Sequence, residues 1–255
     1  MKKGERCLKI LEILQENHQV NVTELSEMFQ TSEMTIRRDL NFLAREHNIT
    51  RTHGGAIMTG QSVVRITSFD EELIPNKETK KKIAKKAASL IKNNQSFFID
   101  AGSTTRIMVD YLDNEKKMLI VTSHLEVAEK AMNYDNTSVI MLGGEMLRGT
   151  NCSYGEVAEE QIKRYTLDLA FLGAGAVDAK GRLSDLYSPE ARFKKSIFSV
   201  AEKVYVLADS SKFNNGGVVC YGDLSQIAGF ITDSGISEKN KMLLKQYNVD
   251  LIIAD

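Results

Sequence analysis

Between Thr31 and Arg45 the chain reads TSEMTIRRDLNFLAR. Arg37, Arg38, Asn41 and Arg45 carry the forked donors and acceptors that grip phosphate or read guanine and adenine edges. Ile36, Leu40 and Leu43 recur at i, i+4 and i+7, so on a helix they form one apolar stripe and leave those four residues off it. Ser32 is a good N-cap, and Glu33 puts an acid in the first turn, where the helix dipole favours one. A DNA-recognition helix requires such an outer face. Taken alone the stretch is equally a solvated surface helix, because exposed arginine on a helix is common.

A second set of residues could hold a small anion. Four polar loops each follow a short apolar run: Ala101-Gly102-Ser103-Thr104-Thr105 after Phe97–Asp100, Gly143-Gly144-Glu145 after Ser138–Leu142, Gly173–Asp178 (GAGAVD) closing Asp168–Gly173, and Asp209-Ser210-Ser211-Lys212 after Val204–Ala208. Gly102 permits close backbone approach, the hydroxyls can donate, and a helix starting there favours an anion. Lys212 could add a full positive charge. Each loop alone is ordinary turn chemistry. Four on one edge of a sheet make a case for a small polar anionic ligand. The spacing GxxxxGK[ST] is absent, and no clean GxGxxG fingerprint occurs.

The elements that must position these residues follow from periodicity. Arg6–Gln15 and Asn21–Phe29 read as short helices before the arginine-rich one. Asn21 can cap the second, with Glu24 at N3 in a capping-box arrangement; Leu25, Met28 and Phe29 form its expected inner face. Only Gln30, Thr31 and Ser32 separate it from the third, a helix-turn-helix spacing. Ile49–Ala56 alternates and reaches a Gly-Gly pair, which suits a β-wing. Residues 58–76, containing Pro75, lack a sustained period and read as a connection. Lys77–Lys92 carries seven lysines beside an apolar stripe of Ile83, Ala87, Leu90 and Ile91. Its basic outer face reads as a solvated helix face or as a second DNA contact.

From Ser96 onward short apolar runs alternate with helical segments. Strands are expected at 97–100, 118–122, 138–142, 168–173, 204–208, 228–232 and 250–253, and helices at 105–112, 125–132, 189–201 and 237–247. That alternation implies an α/β domain with a mostly parallel sheet covered on both faces. Ligands in such sheets sit at the carboxyl ends of the strands.

Composition narrows the class. The 255 residues are 42% hydrophobic and 26% charged, ordinary for a globular chain. No apolar run reaches the ~20 residues of a transmembrane helix, and the N-terminus lacks a signal-peptide core, so a cytoplasmic protein with no membrane partner is expected. Cys7, Cys152 and Cys220 lack metal-ligand or disulfide-framework spacing, so no metal and no cofactor is expected. The 33 basic and 34 acidic residues balance, as do eight of each within residues 1–56, so a DNA-facing field requires charge sorted onto one face.

Thr35–Leu40 (TIRRDL) and Arg51–Ala56 (RTHGGA), at this separation, resemble the DeoR family of bacterial sugar-operon repressors. Asp100–Thr105, Leu142-Gly143-Gly144 and Asp209–Phe213 extend the resemblance over nearly the whole chain. It implies a winged helix-turn-helix at 1–57, a linker at 58–76, and at 77–255 an effector-sensing and oligomerisation domain that looks like ribose-5-phosphate isomerase. The implied partners are double-stranded operator DNA, a phosphorylated sugar, and further copies in a dimer or tetramer. The candidate DNA-contacting residues are Ser32, Met34, Thr35, Arg37, Arg38, Asn41, Arg51, His53, Gly54 and Gly55. The candidate effector-contacting residues are Asp100, Gly102, Ser103, Thr104, Thr105, Ser123, Gly143, Gly144, Gly173, Asp178, Asp209 and Lys212. Carried over, Gly102 to Thr105 would line the phosphate site and Lys212 would face the sugar phosphate. One departure stands out: the family's usual Thr-Asn is here Thr122-Ser123, followed by His124, which reads as a helix-start residue.

An isomerase-like enzyme is the alternative. Aldose–ketose isomerisation needs a base at carbon and acids on the oxygens. The loop Gly173–Asp178 keeps only Asp178 where the isomerases carry several carboxylates. Glu190 has nothing near it in sequence to complete a set, so no catalytic residue is expected. A domain that only oligomerises would not need these anion-binding turns.

Overall fold

The computed structural model describes residues 6–7, 9–10, 13–14, 17, 19–46, 49–52, 54–58, 76–147, 150–185, 187–213, 217 and 219–255. The chain divides into two compact units, Met1–Pro75 and Asn76–Asp255. Most of the expected linker at 58–76 lies outside the described residues. Met58 closes a strand, and Asn76 precedes a helix with φ 54°.

In the first unit, α1 (Val22–Met28) and α2 (Glu33–Glu46) pack with a three-stranded sheet of β1 (Gln19–Asn21), β2 (Ile49–Arg51) and β3 (Gly55–Met58), in the order β1-β3-β2. Of the expected helix Arg6–Gln15, residues 6, 7, 9, 10, 13 and 14 are described and helical. Cys7, Ile10 and Leu14 join Leu25, Ile36, Leu40 and Leu43 in one core. The stripe expected on α2 is therefore the packed one. Two expectations on α1 need correction. Met28 is 61% exposed, and Val22, one turn before Leu25, takes the inner place. Asn21 caps through Thr23 N at 2.8 Å, not through a box with Glu24. Strand β1 was not expected, being three residues with two of them polar. It pairs antiparallel with β3, Asn21 opposite Gly55, where a Cβ on Gly55 would collide with the Val20 carbonyl oxygen.

The second unit is built on a seven-stranded, wholly parallel sheet in the order β15-β14-β12-β9-β4-β5-β6. The strands are β4 (Gln95–Ile99), β5 (Met118–Thr122), β6 (Thr137–Met141), β9 (Leu167–Gly173), β12 (Ala201–Leu207), β14 (Gly229–Asp233) and β15 (Asp250–Ala254). Successive residues alternate between two cores: Phe98, Val121, Ala170 and Val206 on one face, Phe97, Ile99, Phe171 and Leu207 on the other. Burial on both faces is why these strands read as continuous apolar runs. The covering helices are α3 (Lys77–Ala88), α4 (Ser103–Met108), α5 (Leu125–Ala131), α6 (Glu156–Ile162), α7 (Ser188–Ile197) and α8 (Glu238–Gln246). α4 is short and tightens into a 3₁₀ turn over Val109–Tyr111.

Three short pieces were not expected: α6, the hairpin of β7 (Glu145–Leu147) and β8 (Cys152–Tyr154), and a small antiparallel sheet of β10 (Ala176–Val177), β11 (Arg182–Asp185) and β13 (Val219–Asp223). From β4 the chain steps to β5 and β6 on one side, then returns through β9, β12, β14 and β15 on the other. The strand order reverses between β4 and β9. That reversal opens a crevice at the carboxyl ends of those two strands.

Candidate functional site

The outer face of α2 is arranged as follows. Ser32 Oγ accepts from Thr35 N at 3.3 Å and shares a 2.9 Å hydrogen bond with Thr35 Oγ1, capping the helix. Met34, Arg38 and Asn41 are exposed, and Arg37 is half-buried. Arg37 reaches Glu33 at 3.2 Å; hydrogen bonds from Thr23 and then Arg37 hold the Glu33 carboxyl below its usual value. Arg38 makes no ion pair among the described residues. Asp39 turns inward and meets Arg6 at 2.6 Å. Arg51 Nε donates to Asn41 Oδ1 at 3.0 Å, and its Nη1 donates to the Gly55 carbonyl. The wing strand is thereby tied to the helix face. Gly54 is exposed at the wing turn. His53 lies outside the described residues, and so does the side chain of Arg45.

In the second unit the crevice between β4 and β9 holds a pocket of about 180 Å³. Six of the twelve expected effector residues line it together: Gly102, Ser103, Thr104, Gly173, Asp209 and Lys212. They come from the ends of β4, β9 and β12. Asp100 and Thr105 are buried and support the lining. Asp100 Oδ2 accepts from Gly173 N at 2.8 Å, and Thr105 Oγ1 donates to the carbonyls of Asp100 and Gly102 at 2.7 and 2.8 Å. The remaining four are not in the lining. Gly143 N donates to Gln161, and Gly144, at φ 135°, passes against the Tyr154 carbonyl. Asp178 closes the β10–β11 turn with Arg182 at 2.7 Å. Ser123 is buried, and its Oγ has no hydrogen-bond partner among the described residues. His124 is the helix-start residue expected, its Nδ1 accepting from Val127 N at 3.4 Å. Burial, then Arg106, push it down to about 4, so it stands neutral.

Four charged lining residues, Lys80, Asp185, Glu190 and Lys194, were not among the expected effector contacts. Lys80 is buried, and its Nζ donates to Ser103 Oγ at 2.9 Å. Burial, then the like charge of Lys212, lower it to about 8. The sequence signal was its register: Lys80 shares a stripe with Ile83, Ala84 and Ala87, so it faces inward and leaves the basic outer face. Lys194 is buried and meets Asp100, Asp185 and Glu190 at 2.9, 2.8 and 3.2 Å. Burial opposes its charge, yet Asp100 and Asp185 outweigh it and hold the ammonium well above the ordinary lysine value. Lys194 stands one turn from Ala191 and one turn from Ile197 on the buried face of α7. Glu190, expected to stand alone, thus belongs to a set. The lysine in that set is saturated by carboxylates and the Gly173 carbonyl at 3.0 Å, which leaves it no free pair for proton abstraction.

Among the described residues no His, Cys, Asp or Glu group could hold a metal ion, and no helix is long and apolar enough to cross a membrane. Cys7 and Cys152 are buried and Cys220 is exposed, and none of the three is in a disulfide among the described residues.

Residues 6–62 match the family described as the DeoR-like helix-turn-helix domain, and residues 75–234 match the DeoR C terminal sensor domain. The chain is 32% identical over 251 residues to the glycerol-3-phosphate regulon repressor of Escherichia coli (strain K12), covering 98% of this chain and 99% of that one. It is also 32% identical over 243 residues to the HTH-type transcriptional regulator GolR of Listeria innocua, covering 95% and 94%. Both relatives are named as transcriptional regulators, not as enzymes. Ribose 5-phosphate isomerase A from Methanocaldococcus jannaschii is similar at 24% identity with a TM-score of 0.41, over 54% of this chain and 55% of that one.

Proposed function

Because this chain belongs to the DeoR family of transcriptional regulators, we propose that it represses a carbohydrate uptake or catabolic operon and leaves its operator when a phosphorylated sugar fills the pocket. The observation that carries the sensing half is a pair of ammonium groups without carboxylate partners. Lys80 and Lys212 make no ion pair among the described residues, and both line the same pocket beside Ser103 and Thr104. A buried ammonium without a counter-charge is unfavourable, and a bound phosphate supplies that charge through charge-assisted hydrogen bonds. The pocket, at about 180 Å³, lies below the usual range of roughly 300–1,000 Å³ for drug-sized ligands and suits a small metabolite.

The DNA half rests on Arg38, Asn41 and Arg37 on α2, with Ser32, Met34 and Thr35 at its start and Arg51, Gly54 and Gly55 of the wing beside them. One such helix reads few base pairs, so the working form is a dimer or tetramer on repeated half-sites about 10 bp, or whole multiples of that, apart. Light scattering that finds a monomer with and without DNA would count against it. The direct test is an operator titration with and without a sugar phosphate first found by thermal shift, since a ligand of the folded state raises apparent stability. Wild-type protein releases DNA on adding the ligand, and Lys212→Met binds DNA but no longer responds. A Lys212→Met protein that responds at the wild-type ligand concentration would place the phosphate elsewhere.

A further inference from the structure

The charges lining the pocket fall into two unlike groups. Lys80 and Lys212 make no ion pair among the described residues; Lys212 and Arg106 oppose the charge on Lys80, and Asp209 favours it without pairing. Asp209 Oδ1 accepts from Ser211 N at 3.1 Å and from Ser211 Oγ. Lys194 is the reverse case. Three carboxylates surround one ammonium, so two formal negative charges stand in excess around it. Two of those carboxylates, Asp185 and Glu190, belong to the pocket lining, whereas Asp100 lies beneath it.

We infer that the pocket reads its ligand at both ends: phosphate at Lys80 and Lys212, and neutral hydroxyls at Asp185 and Glu190. It therefore accepts monophosphate esters of neutral polyols and sugars and rejects phosphorylated carboxylic acids of the same chain length. The inference rests on the phosphate-pocket reading above and adds the chemistry of the ligand's other end. A carboxylate offers about four lone-pair sites. Asp185 spends one on Gly175 N at 3.0 Å and one on Lys194 at 2.8 Å, which leaves acceptor capacity for a hydroxyl donor. A ligand carboxylate placed there brings a like charge to a cluster already negative, in a site with little water to screen it. Lys194 cannot relieve that repulsion, because its donors are spent on Asp100, Asp185, Glu190 and the Gly173 carbonyl.

Calorimetric titration of the full chain with matched pairs tests this: glycerol 3-phosphate against 3-phosphoglycerate, and glucitol 6-phosphate against 6-phosphogluconate. The neutral member of a pair binds tighter by about tenfold or more. Glu190→Gln and Asp185→Asn each narrow that ratio, and each leaves Lys194 with Asp100 and one further carboxylate, so a fold check by thermal unfolding accompanies both. Acids binding as tightly as their neutral partners would overturn the inference while leaving the phosphate reading intact. A wild-type preference that neither variant alters would overturn the assignment to these two carboxylates. Failure of every compound to bind would remove the phosphate reading and the inference with it.

Discussion

In the N-terminal unit a buried cation is matched and an unmatched one is outside: Arg6 meets Asp39 at 2.6 Å, while Arg38 is exposed on α2 with no ion pair among the described residues. In the C-terminal unit an unmatched cation is buried, Lys80, while Lys194 nearby in the same pocket is over-matched. An exposed arginine keeps its hydration, so it is available to a long polyanion at little standing cost. A buried unpaired lysine is penalised until an anion arrives, which makes the filled pocket differ in free energy from the empty one. That difference is what an effector must supply to shift a conformational equilibrium.

The comparison breaks most visibly at Lys194. Lys194→Met strands three carboxylates, so urea unfolding should show a loss of about 3–5 kcal/mol. Lys80→Met, in the same assay, should leave stability unchanged or slightly raised; equal destabilisation by both would erase the distinction drawn between them. Next in size is ligand affinity. Lys80→Met removes a charged donor, and calorimetry with the effector should show a loss of roughly 1.5–3 kcal/mol. Arg38→Ala should weaken operator binding by roughly 1–3 kcal/mol and leave effector binding alone, with Arg37→Ala at the lower end because Glu33 already engages that guanidinium.

The smallest effect is a pH dependence. Lys80 is lowered to about 8 in the empty pocket, and a phosphate favours its charged form. Effector binding therefore takes up a proton, and affinity present below about 8 should fall about tenfold toward pH 9. Stability of the empty protein moves the other way. The unfolded chain holds more protons between about 8 and the ordinary lysine value of 10.5, so this group's contribution rises with pH across that window. Lys80→Met should flatten both curves, and a wild-type slope retained in the variant would assign the proton to another group.

The large sheet was legible because every one of its strands is packed on both faces. Phe97–Ile99, Met118–Val121 and Leu169–Leu172 are apolar without interruption, and the expected and observed bounds differ by no more than three residues along the sheet. The short antiparallel pieces escaped because they carry no such signal: Arg182–Asp185 has a single apolar residue and pairs with the distant Val219–Asp223, and Glu145–Leu147 is only three residues of a hairpin with Cys152–Tyr154. Of the four polar loops expected on one sheet edge, those at Gly102–Thr104, Gly173–Gly175 and Asp209–Lys212 gather at the pocket, and the Gly143-Gly144 loop does not. The lysines that give the pocket its charge were hidden by their type. Lysine on a helix reads as solvent-facing, and only the register of Lys80 with Ile83 and Ala87, and of Lys194 with Ala191 and Ile197, points inward. Ser123, taken as a ligand contact from a family motif, lies outside the pocket lining.

The pairing of β4 with β9 has a consequence for how the chain is made. Ser96 N and Oγ bond Asp168 across 72 residues, and the pocket also needs the loop after β12. Arg6 and Asp39, by contrast, are 33 residues apart, and the N-terminal core closes by Met58. Contacts of low sequence separation form fast, and N-terminal units fold first during synthesis at about 5–20 residues per second. A ribosome that has released the first unit has still to make more than a hundred residues before Lys212 exists. For those seconds the nascent protein carries its nucleic-acid-binding half without the half that senses metabolites.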